Sequence, residues 1–268
     1  MSNRMLYDLL RKTAETYPER TAVICGDKRF DYREFSERVD RLANGLRSLG
    51  IRKNDKVAIL HKNCHRFLET YFAAAKIGAV LVPMNYRLSA DDYAYILDNS
   101  QTKLLIAQLE LIHHCLQRKG AQTPLKNQKT LPPLKHRDVL LLSENQEKLP
   151  QLEHIVFTDA NTNSESILKI SERCLTYESL LEKTSLSGGI ETPIHDTDIA
   201  QIYYTSGTTG KPKGVMLTHK NNWVHAENTK KELGLNKEDR WLHVSPMFHL
   251  ADAWAVWAIT NVGATHVM

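Results

Sequence analysis

Short apolar runs alternate with helix-like segments between residues 56 and 107. The runs KVAIL (56–60), AVLVP (79–83) and KLLIA (103–107) are almost continuously apolar, which is typical of strands buried on both faces. The intervening segments, 66–78 and 89–99, have the apolar spacing of helices. Buried strands joined by crossover helices predict an α/β fold with a parallel sheet.

Helices and strands are also predicted outside this region. An amphipathic helix is expected over 5–17, and Asp31 and Glu34 have the spacing of a capping box for a second helix that Gly50 ends. Most of the chain is expected to fold, as one large domain or as two of ordinary size. The later predicted elements are the strands HIVFT (154–158), IAQIYYT (199–205), GVMLTH (214–219) and the end of NVGATHVM (261–268), and the helices 177–183 and 221–234.

Charge and hydropathy limit the classes of partner. Six of the 35 Lys and Arg residues lie between Arg118 and Arg137, where no acid occurs, and the remaining 29 face 31 acidic residues. The basic character therefore belongs to one surface loop, about 118–138, and no nucleic-acid partner is expected.

No apolar run approaches the roughly 18 residues of a membrane-spanning helix, and the N-terminus is charged rather than signal-like. We therefore expect a cytoplasmic chain without a transmembrane segment.

The segment TSGTTGKPKG, residues 205–214, combines four hydroxyl side chains, three glycines and two lysines between two predicted strands. Glycines permit positive backbone dihedrals and let N–H groups converge on an anion, while hydroxyls and lysines add donors and positive charge. The segment therefore predicts a phosphate-binding loop. Composition alone leaves open a hairpin loop that binds nothing.

Three familiar motifs do not fit this loop. A Walker A loop needs glycine at the position of Thr205, and Gly-x-Gly-x-x-Gly occurs nowhere in the chain. A Gly-x-Ser-x-Gly elbow needs glycines where Tyr204 and Thr208 stand. The loop is therefore neither of these nucleotide-binding motifs nor a serine-hydrolase elbow.

A longer stretch around the loop, YYTSGTTGKPKGVMLTHKN (203–221), resembles the phosphate-loop signature of the adenylate-forming superfamily of AMP-dependent synthetases and ligases. The segments 82–100, 175–181 and 244–252 are similar to parts of the same family in the same order, and PMFH (246–249) is most like its fatty acyl-CoA synthetases. The resemblance implies an α/β fold of layered sheets flanked by helices, as in the N-terminal domain of acyl-CoA synthetases. In this chain the fold is expected to be truncated at its C-terminal edge.

Family members join a carboxylic acid to ATP, release pyrophosphate, and pass the acyl group from AMP to a thiol such as coenzyme A. The resemblance implies that Lys213 acts in catalysis and that Mg²⁺ arrives on the nucleotide, since no residue spacing predicts a metal site in the chain. Lys211 is expected to be a solvated neighbour. The residues expected to hold the ATP phosphates are Thr205, Ser206, Gly207, Thr208, Thr209, Gly210, Lys213 and Gly214.

His249, in PMFH, matches the family position that borders the acyl pocket near the substrate carboxylate. The resemblance implies a role for His249 in catalysis, whereas a lone histidine among apolar residues is more often a core group. Met247, Phe248, Trp254 and Trp257 are candidates for an acyl channel, with ordinary core packing as the alternative.

The chain departs from the family at its C-terminus, because it stops near the midpoint of a typical member. The adenine- and ribose-binding segments and the small C-terminal domain with its catalytic lysine have no counterpart here. Residues 1–268 are therefore expected to be an incomplete N-terminal AMP-binding domain. Its unfinished sheet edge predicts self-association or pairing with a missing C-terminal half.

Two hypotheses remain at this point. The first is an ATP-dependent acyl-CoA ligase that activates a carboxylic, by resemblance fatty, acid, with this chain as its N-terminal part and inactive alone. The alternative is a truncated, non-catalytic remnant that binds nucleotide phosphates weakly or acts as an interaction partner. The acid, its chain length, and the choice between coenzyme A and a carrier-protein thiol stay open.

Overall fold

The computed structural model describes residues 4–111, 149–158, 174–185, 193–205 and 210–268. The predicted basic loop (about 118–138) and residues 206–209 lie outside the described residues. The helices are α1 (Leu6–Thr16), α2 (Tyr32–Ser48), α3 (His65–Ile77), α4 (Ala90–Asn99), α5 (Tyr177–Glu182), α6 (His219–Glu232) and α7 (Leu250–Val262). The strands are β1 (Thr21–Cys25), β2 (Lys28–Asp31), β3 (Lys56–Leu60), β4 (Val80–Pro83), β5 (Thr102–Ala107), β6 (His154–Phe157), β7 (Cys174–Thr176), β8 (Ile199–Thr205), β9 (Lys213–Thr218), β10 (Arg240–Leu242) and β11 (Thr265–Val267).

The larger sheet has seven strands in the order β7-β6-β5-β3-β4-β8-β9. All neighbours from β7 to β8 are parallel, and β9 pairs antiparallel with β8 at the edge. The α/β fold expected from the alternating pattern is confirmed. Because six strands run the same way, their carboxyl ends share one edge, where open α/β sheets bind ligands.

Helices cover both faces of this sheet, as the continuous apolar runs predict. Successive residues of β3 point to opposite faces, so Val57 and Ile59 share one core with α3, while Ala58 and Leu60 share another with α4. The first core also contains α1, α2 and part of α7. Trp257 of α7 lies edge-on to Tyr71 and Phe72 in it, with ring centroids 5.5 and 4.9 Å away.

The smaller sheet has four strands in the order β10-β11-β1-β2. The C-terminal strand β11 is parallel to both of its neighbours, β10 and β1, so it lies inside the sheet and the edges are β10 and β2. Tyr32, at the start of α2, donates its hydroxyl to the Ala264 carbonyl at 2.6 Å. The elements β1 and α2 therefore pack against the C-terminal end of the chain.

Several helix boundaries follow from local chemistry. The capping box predicted at Asp31 and Glu34 is present at the start of α2, and α4 and α6 begin with boxes at Ser89 and Thr218. The helix α7 ends at Gly263, whose φ of 76° is the left-handed conformation that glycine tolerates. Across the described ranges, we find no helix with the length and apolarity required to cross a bilayer.

Candidate functional site

The base of the predicted phosphate loop lies at the shared carboxyl edge of the seven-stranded sheet. Thr205 ends β8 and Lys213 begins β9, and these two residues are cross-strand partners at the base of a hairpin. Both are exposed to solvent. Ser206, Gly207, Thr208 and Thr209 lie between them and outside the described residues, so the structure places the base of this loop and its last residues, from Gly210 onward.

The two described glycines of the loop serve different purposes. Gly210 has a φ of 119°, which side-chain-bearing residues rarely adopt, as the sequence predicts for an anion-binding loop. Gly214 has an ordinary φ, but a Cβ there would lie 2.8 Å from Ile202 Cγ2 and 3.2 Å from Tyr204 Cζ. Gly214 is therefore required by close packing in the hairpin rather than by a positive dihedral.

The helix α4 flanks the hairpin on one side. The Tyr204 hydroxyl, on β8, donates to Asn99 Oδ1 at 2.7 Å. Burial and the nearby Tyr95 raise the pKa of Tyr204 to about 12, so its hydroxyl keeps its proton at neutral pH. Lys211, expected to be simply solvated, is exposed but lies with Nζ 4.8 Å from the centre of the Tyr95 ring. A cation–π contact therefore attaches the hairpin to α4.

His249 is exposed and precedes the first residue of α7 as its N-cap. Its backbone carbonyl accepts from the amides of Asp252 and Ala253, at 3.1 and 2.9 Å. Its ring lies 4.8 Å from the ring of Phe248, which packs edge-on against Tyr86 in the loop after β4 at 5.1 Å. The structure therefore brings PMFH beside the carboxyl end of β4.

The four candidate channel residues separate into two groups. Met247 and Trp257 are fully or almost fully buried in the first core, as the core interpretation predicts. Phe248 is also buried, although it lies against the half-buried Tyr86. Trp254 is partly buried and stacks edge-on with Trp241 at 4.8 Å. Phe248 and His249 are therefore the members of this segment that border the carboxyl edge.

Sequence reasoning did not single out Asn63, which lies between β3 and α3 at the same edge. Its side-chain amide donates to the carbonyl oxygens of His243 and Ser245, at 2.9 and 2.7 Å, and its Oδ1 accepts from the Met247 amide at 2.8 Å. One asparagine thus satisfies three backbone groups of a segment 180 residues away in sequence. Only the fold could reveal this contact, because nothing in the local sequence distinguishes Asn63.

A buried polar chain lies behind the same segment. His243 Nδ1 is 2.7 Å from Asp252 Oδ2, His243 Nε2 is 2.9 Å from His266 Nδ1, and His266 Nε2 is 2.9 Å from the Thr260 hydroxyl. Burial, followed by the nearby His243, holds the pKa of His266 well below its usual value, so His266 is neutral. Trp241 Nε1 donates to the other Asp252 oxygen at 3.1 Å, which completes the partners of this buried carboxylate.

This chain of residues was not expected from the sequence, in which no residue spacing predicts a metal site. A histidine inside an apolar strand, as in ATHVM, is the one signal that could have directed attention to it. Among the residues that the structure describes, no group of three or more His, Cys, Asp or Glu side chains is arranged to hold a metal ion.

Comparison with known proteins identifies the family. The family model described as AMP-binding enzyme matches residues 10–268. The chain therefore belongs to the AMP-binding enzyme family, as the resemblance in the sequence implied.

The relatives found by sequence include an acid–CoA ligase. Crotonobetaine/carnitine–CoA ligase of Escherichia coli is 32% identical over an alignment of 271 residues, gaps included, which covers 99% of this chain and 46% of that protein. The chain thus spans about half the length of the curated relatives it matches.

Solved structures show the same fold. The N-terminal domain of FACL13 from Mycobacterium tuberculosis, with an inhibitor bound, has a TM-score of 0.75 at 25% identity, covering all of this chain and 57% of that one. A long-chain-fatty-acid–CoA ligase from Archaeoglobus fulgidus has a TM-score of 0.75 at 23% identity, covering 98% of this chain and 46% of that one. The fold is therefore that of the N-terminal region of acyl-CoA synthetases.

Proposed function

We propose that this chain is the N-terminal, phosphate-binding part of an AMP-forming acid–thiol ligase, which activates a carboxylic acid with ATP and transfers it to coenzyme A. The observation that carries the proposal is the hairpin of Thr205 and Lys213, which presents a glycine- and hydroxyl-rich loop at the carboxyl edge of a parallel sheet. Membership of the AMP-binding enzyme family supports the same chemistry.

The reaction has two displacement steps. A carboxylate oxygen attacks the α-phosphorus of ATP, and the bond from that phosphorus to the bridging oxygen breaks, so that pyrophosphate leaves with the electron pair. The sulfur of the coenzyme A thiolate then attacks the acyl carbon, and the bond to AMP breaks. Carboxylate and α-phosphate repel each other, so the first step needs positive charge and fixed geometry around the phosphates.

The loop is suited to the leaving group. We assign the β- and γ-phosphates to Thr205, Ser206, Gly207, Thr208, Thr209, Gly210, Lys213 and Gly214, as implied by the resemblance. Lys213 is exposed at the first position of β9, free to turn its ammonium group toward an anion at the loop. Mg²⁺, a hard cation, would be held by the phosphate oxygens of ATP itself.

His249 is proposed to border the acid. It is exposed, it caps α7, and its neighbour Phe248 contacts the loop after β4 at the edge where the hairpin also emerges. The imidazole would contact the carboxylate or its acyl-phosphate product, while Phe248 would contact the adjoining part of the acid. A fatty acid is the substrate we favour, because PMFH and its apolar continuation are most like the fatty acyl-CoA synthetases.

The relatives suggest a second substrate class. The Escherichia coli relative is named for crotonobetaine and carnitine, whereas the Archaeoglobus fulgidus protein is named for long-chain fatty acids. A panel of both kinds of acid would decide between the classes.

The test combines ATP binding with exchange of pyrophosphate into ATP. We expect Lys213→Ala together with Thr208→Ala to weaken ATP binding by about tenfold or more, because charged hydrogen bonds to phosphate are lost. The control is Lys220→Ala, an exposed lysine on α6 outside the loop, which should bind ATP like the unsubstituted chain.

The outcomes test the phosphate loop and the activity of the isolated chain separately. Exchange that depends on an added acid would establish the activation step in residues 1–268 and contradict the expectation that this part is inactive alone. ATP binding without exchange is the result expected of the isolated chain under both hypotheses. Unchanged ATP affinity in the double variant would contradict the assignment of the loop.

A further inference from the structure

Residues 243–249 form a loop, here called the PMFH loop, that connects β10 to α7. Packing does little to hold its first half, because Val244 is 79% exposed and Ser245 is also exposed. Its second half carries Phe248 and His249, the residues placed at the carboxyl edge of the larger sheet. The packing of Met247 and Phe248 and the polar contacts of the loop backbone together fix where these two side chains lie.

Asn63 supplies the central contacts. The donors on its amide nitrogen bind the carbonyls of His243 and Ser245, and its oxygen binds the Met247 amide. These three bonds use nearly all the hydrogen-bonding capacity of the Asn63 side chain. They bind three alternate residues of the loop. Asn63 itself follows β3, so it links the PMFH loop directly to the rigid centre of the seven-stranded sheet.

The base of the loop is closed separately. His243, at its start, binds Asp252, and Asp252 lies in the first turn of α7, where its amide donates to the carbonyl of His249 at the end of the loop. One acidic residue thus contacts both ends of the loop. Its carboxylate is buried and also accepts from Trp241, so its position is fixed.

A third contact connects the loop to the strand that carries the phosphate loop. The Tyr71 hydroxyl, on α3, donates to the Met247 carbonyl at 2.7 Å and lies 2.9 Å from the hydroxyl of Tyr203 on β8. Both tyrosines are buried, and burial raises the pKa of each, so the hydroxyls stay protonated and the bonds persist. The backbone N–H and C=O of Met247 are therefore both hydrogen-bonded to side chains, those of Asn63 and Tyr71.

We propose that Asn63 is a positioning residue for the acid, which holds the PMFH loop so that Phe248 and His249 meet the substrate in a fixed arrangement. This inference rests on the proposed function, because it takes these two residues as the border of the acid site. Asn63 does not need to touch the acid. Its side chain is occupied by the loop backbone, and its effect reaches the acid through the loop.

The experiment uses two variants of the 268-residue chain. Asn63→Ala removes all three bonds, whereas Asn63→Asp keeps the acceptor for the Met247 amide and loses the donors to the two carbonyls. Hydrogen exchange is measured for the backbone amides of residues 243–245 and 247–250, since Pro246 has none. Binding is measured by calorimetry with ATP and with straight-chain carboxylates from butyrate to palmitate as probes.

We expect Asn63→Ala to raise the Kd for the carboxylate by about tenfold while the Kd for ATP changes by less than about twofold. The Met247 amide should exchange faster in Asn63→Ala but remain protected in Asn63→Asp. A merely structural role would weaken both ligands together. The matched control is Asn44→Asp, because Asn44 also donates to a backbone carbonyl, that of Ser185, on a different part of the surface.

Two results would overturn the proposal: unchanged exchange in residues 243–250 of Asn63→Ala, or equal losses of carboxylate and ATP affinity. Failure of the proposed function would look different. In that case the unsubstituted chain would bind no carboxylate, and the exchange measurement would still decide whether Asn63 holds the loop. If Asn63→Ala does not fold, Asn63→Asp gives the same comparison between the two ligands.

Discussion

Among single residues, Gly214 is a position where packing within the hairpin excludes a side chain. Gly214 is the cross-strand partner of Tyr204, and the Tyr204 ring and Ile202 occupy the space where a Cβ would stand. Tyr204 is in turn held by its hydrogen bond to Asn99. Its ring therefore has little freedom to move away.

Gly214→Ala should destabilise the chain by about 1–3 kcal/mol, because a methyl group 2.8 Å from Ile202 Cγ2 forces neighbouring atoms to shift. Urea unfolding followed by circular dichroism measures this loss. Val215→Ala is the control, since Val215 is the next residue of β9 and is 43% exposed, so its truncation should cost far less. Equal stabilities of the Gly214 and Val215 variants would contradict this, because they would show that Ile202 and Tyr204 can shift to accommodate a methyl group without a loss of stability.

At the scale of elements, His219 joins two helices that are far apart in the chain. It is the first residue of α6, it is fully buried, and its Nδ1 accepts from the amide of Leu6 at the start of α1 at 3.3 Å. Burial lowers the pKa of His219 from 6.5 to about 4, although Asp198 and Asp196 oppose the shift and Lys53 adds to it. The folded chain thus keeps this histidine neutral, as an acceptor.

The shift predicts acid sensitivity. Between pH 6.5 and pH 4 the unfolded state binds a proton at His219 and the folded state does not, so this part of the stability is present above pH 6.5 and is lost as the pH falls toward 4. His219→Asn keeps an acceptor near the position of Nδ1 but cannot titrate. We expect urea unfolding across this range to show a difference between the two proteins. As the pH falls, the free energy of unfolding of the unsubstituted chain should decrease by up to about 1.4 kcal/mol per pH unit more than that of the variant.

Other buried histidines do not confuse this comparison. The pKa of His65 is lowered to about 2 and that of His266 also lies well below its usual value, so both add to acid destabilisation. Both are present in the two proteins and cancel in the difference. Parallel stability curves for the unsubstituted chain and His219→Asn would mean that His219 is not kept neutral by folding.

Elements with strong local signals were predictable from the sequence. The helix α2 has its capping box at Asp31 and Glu34, and β3 occupies the predicted run 56–60. Such features depend on residues within a few positions of one another, so no knowledge of the fold is needed. The hairpin around residues 205–214 was expected for the same reason, and Gly210 has the predicted positive φ.

The smaller sheet and the contacts of the PMFH loop were not predictable. The strand β10 is only three residues long, and β1 pairs with β11 from the opposite end of the chain, so no local pattern indicates either pairing. Asn63 and Asp252 likewise owe their roles to partners that only the fold brings near. The base of the candidate site was thus readable from the sequence, whereas the residues that hold it in place were not.

At the scale of the whole molecule, both sheets end in edge strands that carry exposed apolar side chains. On β9, the edge of the larger sheet, Met216 is 61% exposed, and on β10, the edge of the smaller sheet, Leu242 is 58% exposed. An edge strand also presents unpaired backbone N–H and C=O groups. Apolar side chains beside free hydrogen-bonding groups favour pairing with another polypeptide.

We therefore expect residues 1–268 to associate as their concentration rises, and expect Met216→Lys combined with Leu242→Lys to reduce that association by placing charge on both edges. Sedimentation velocity over a series of concentrations measures it. The control is Val224→Lys, because Val224 is 37% exposed on α6 rather than on a sheet edge. If the control reduces association as much as the edge variant, a general change in charge is responsible. If the unsubstituted chain stays monomeric throughout, the edges are protected despite their exposed side chains.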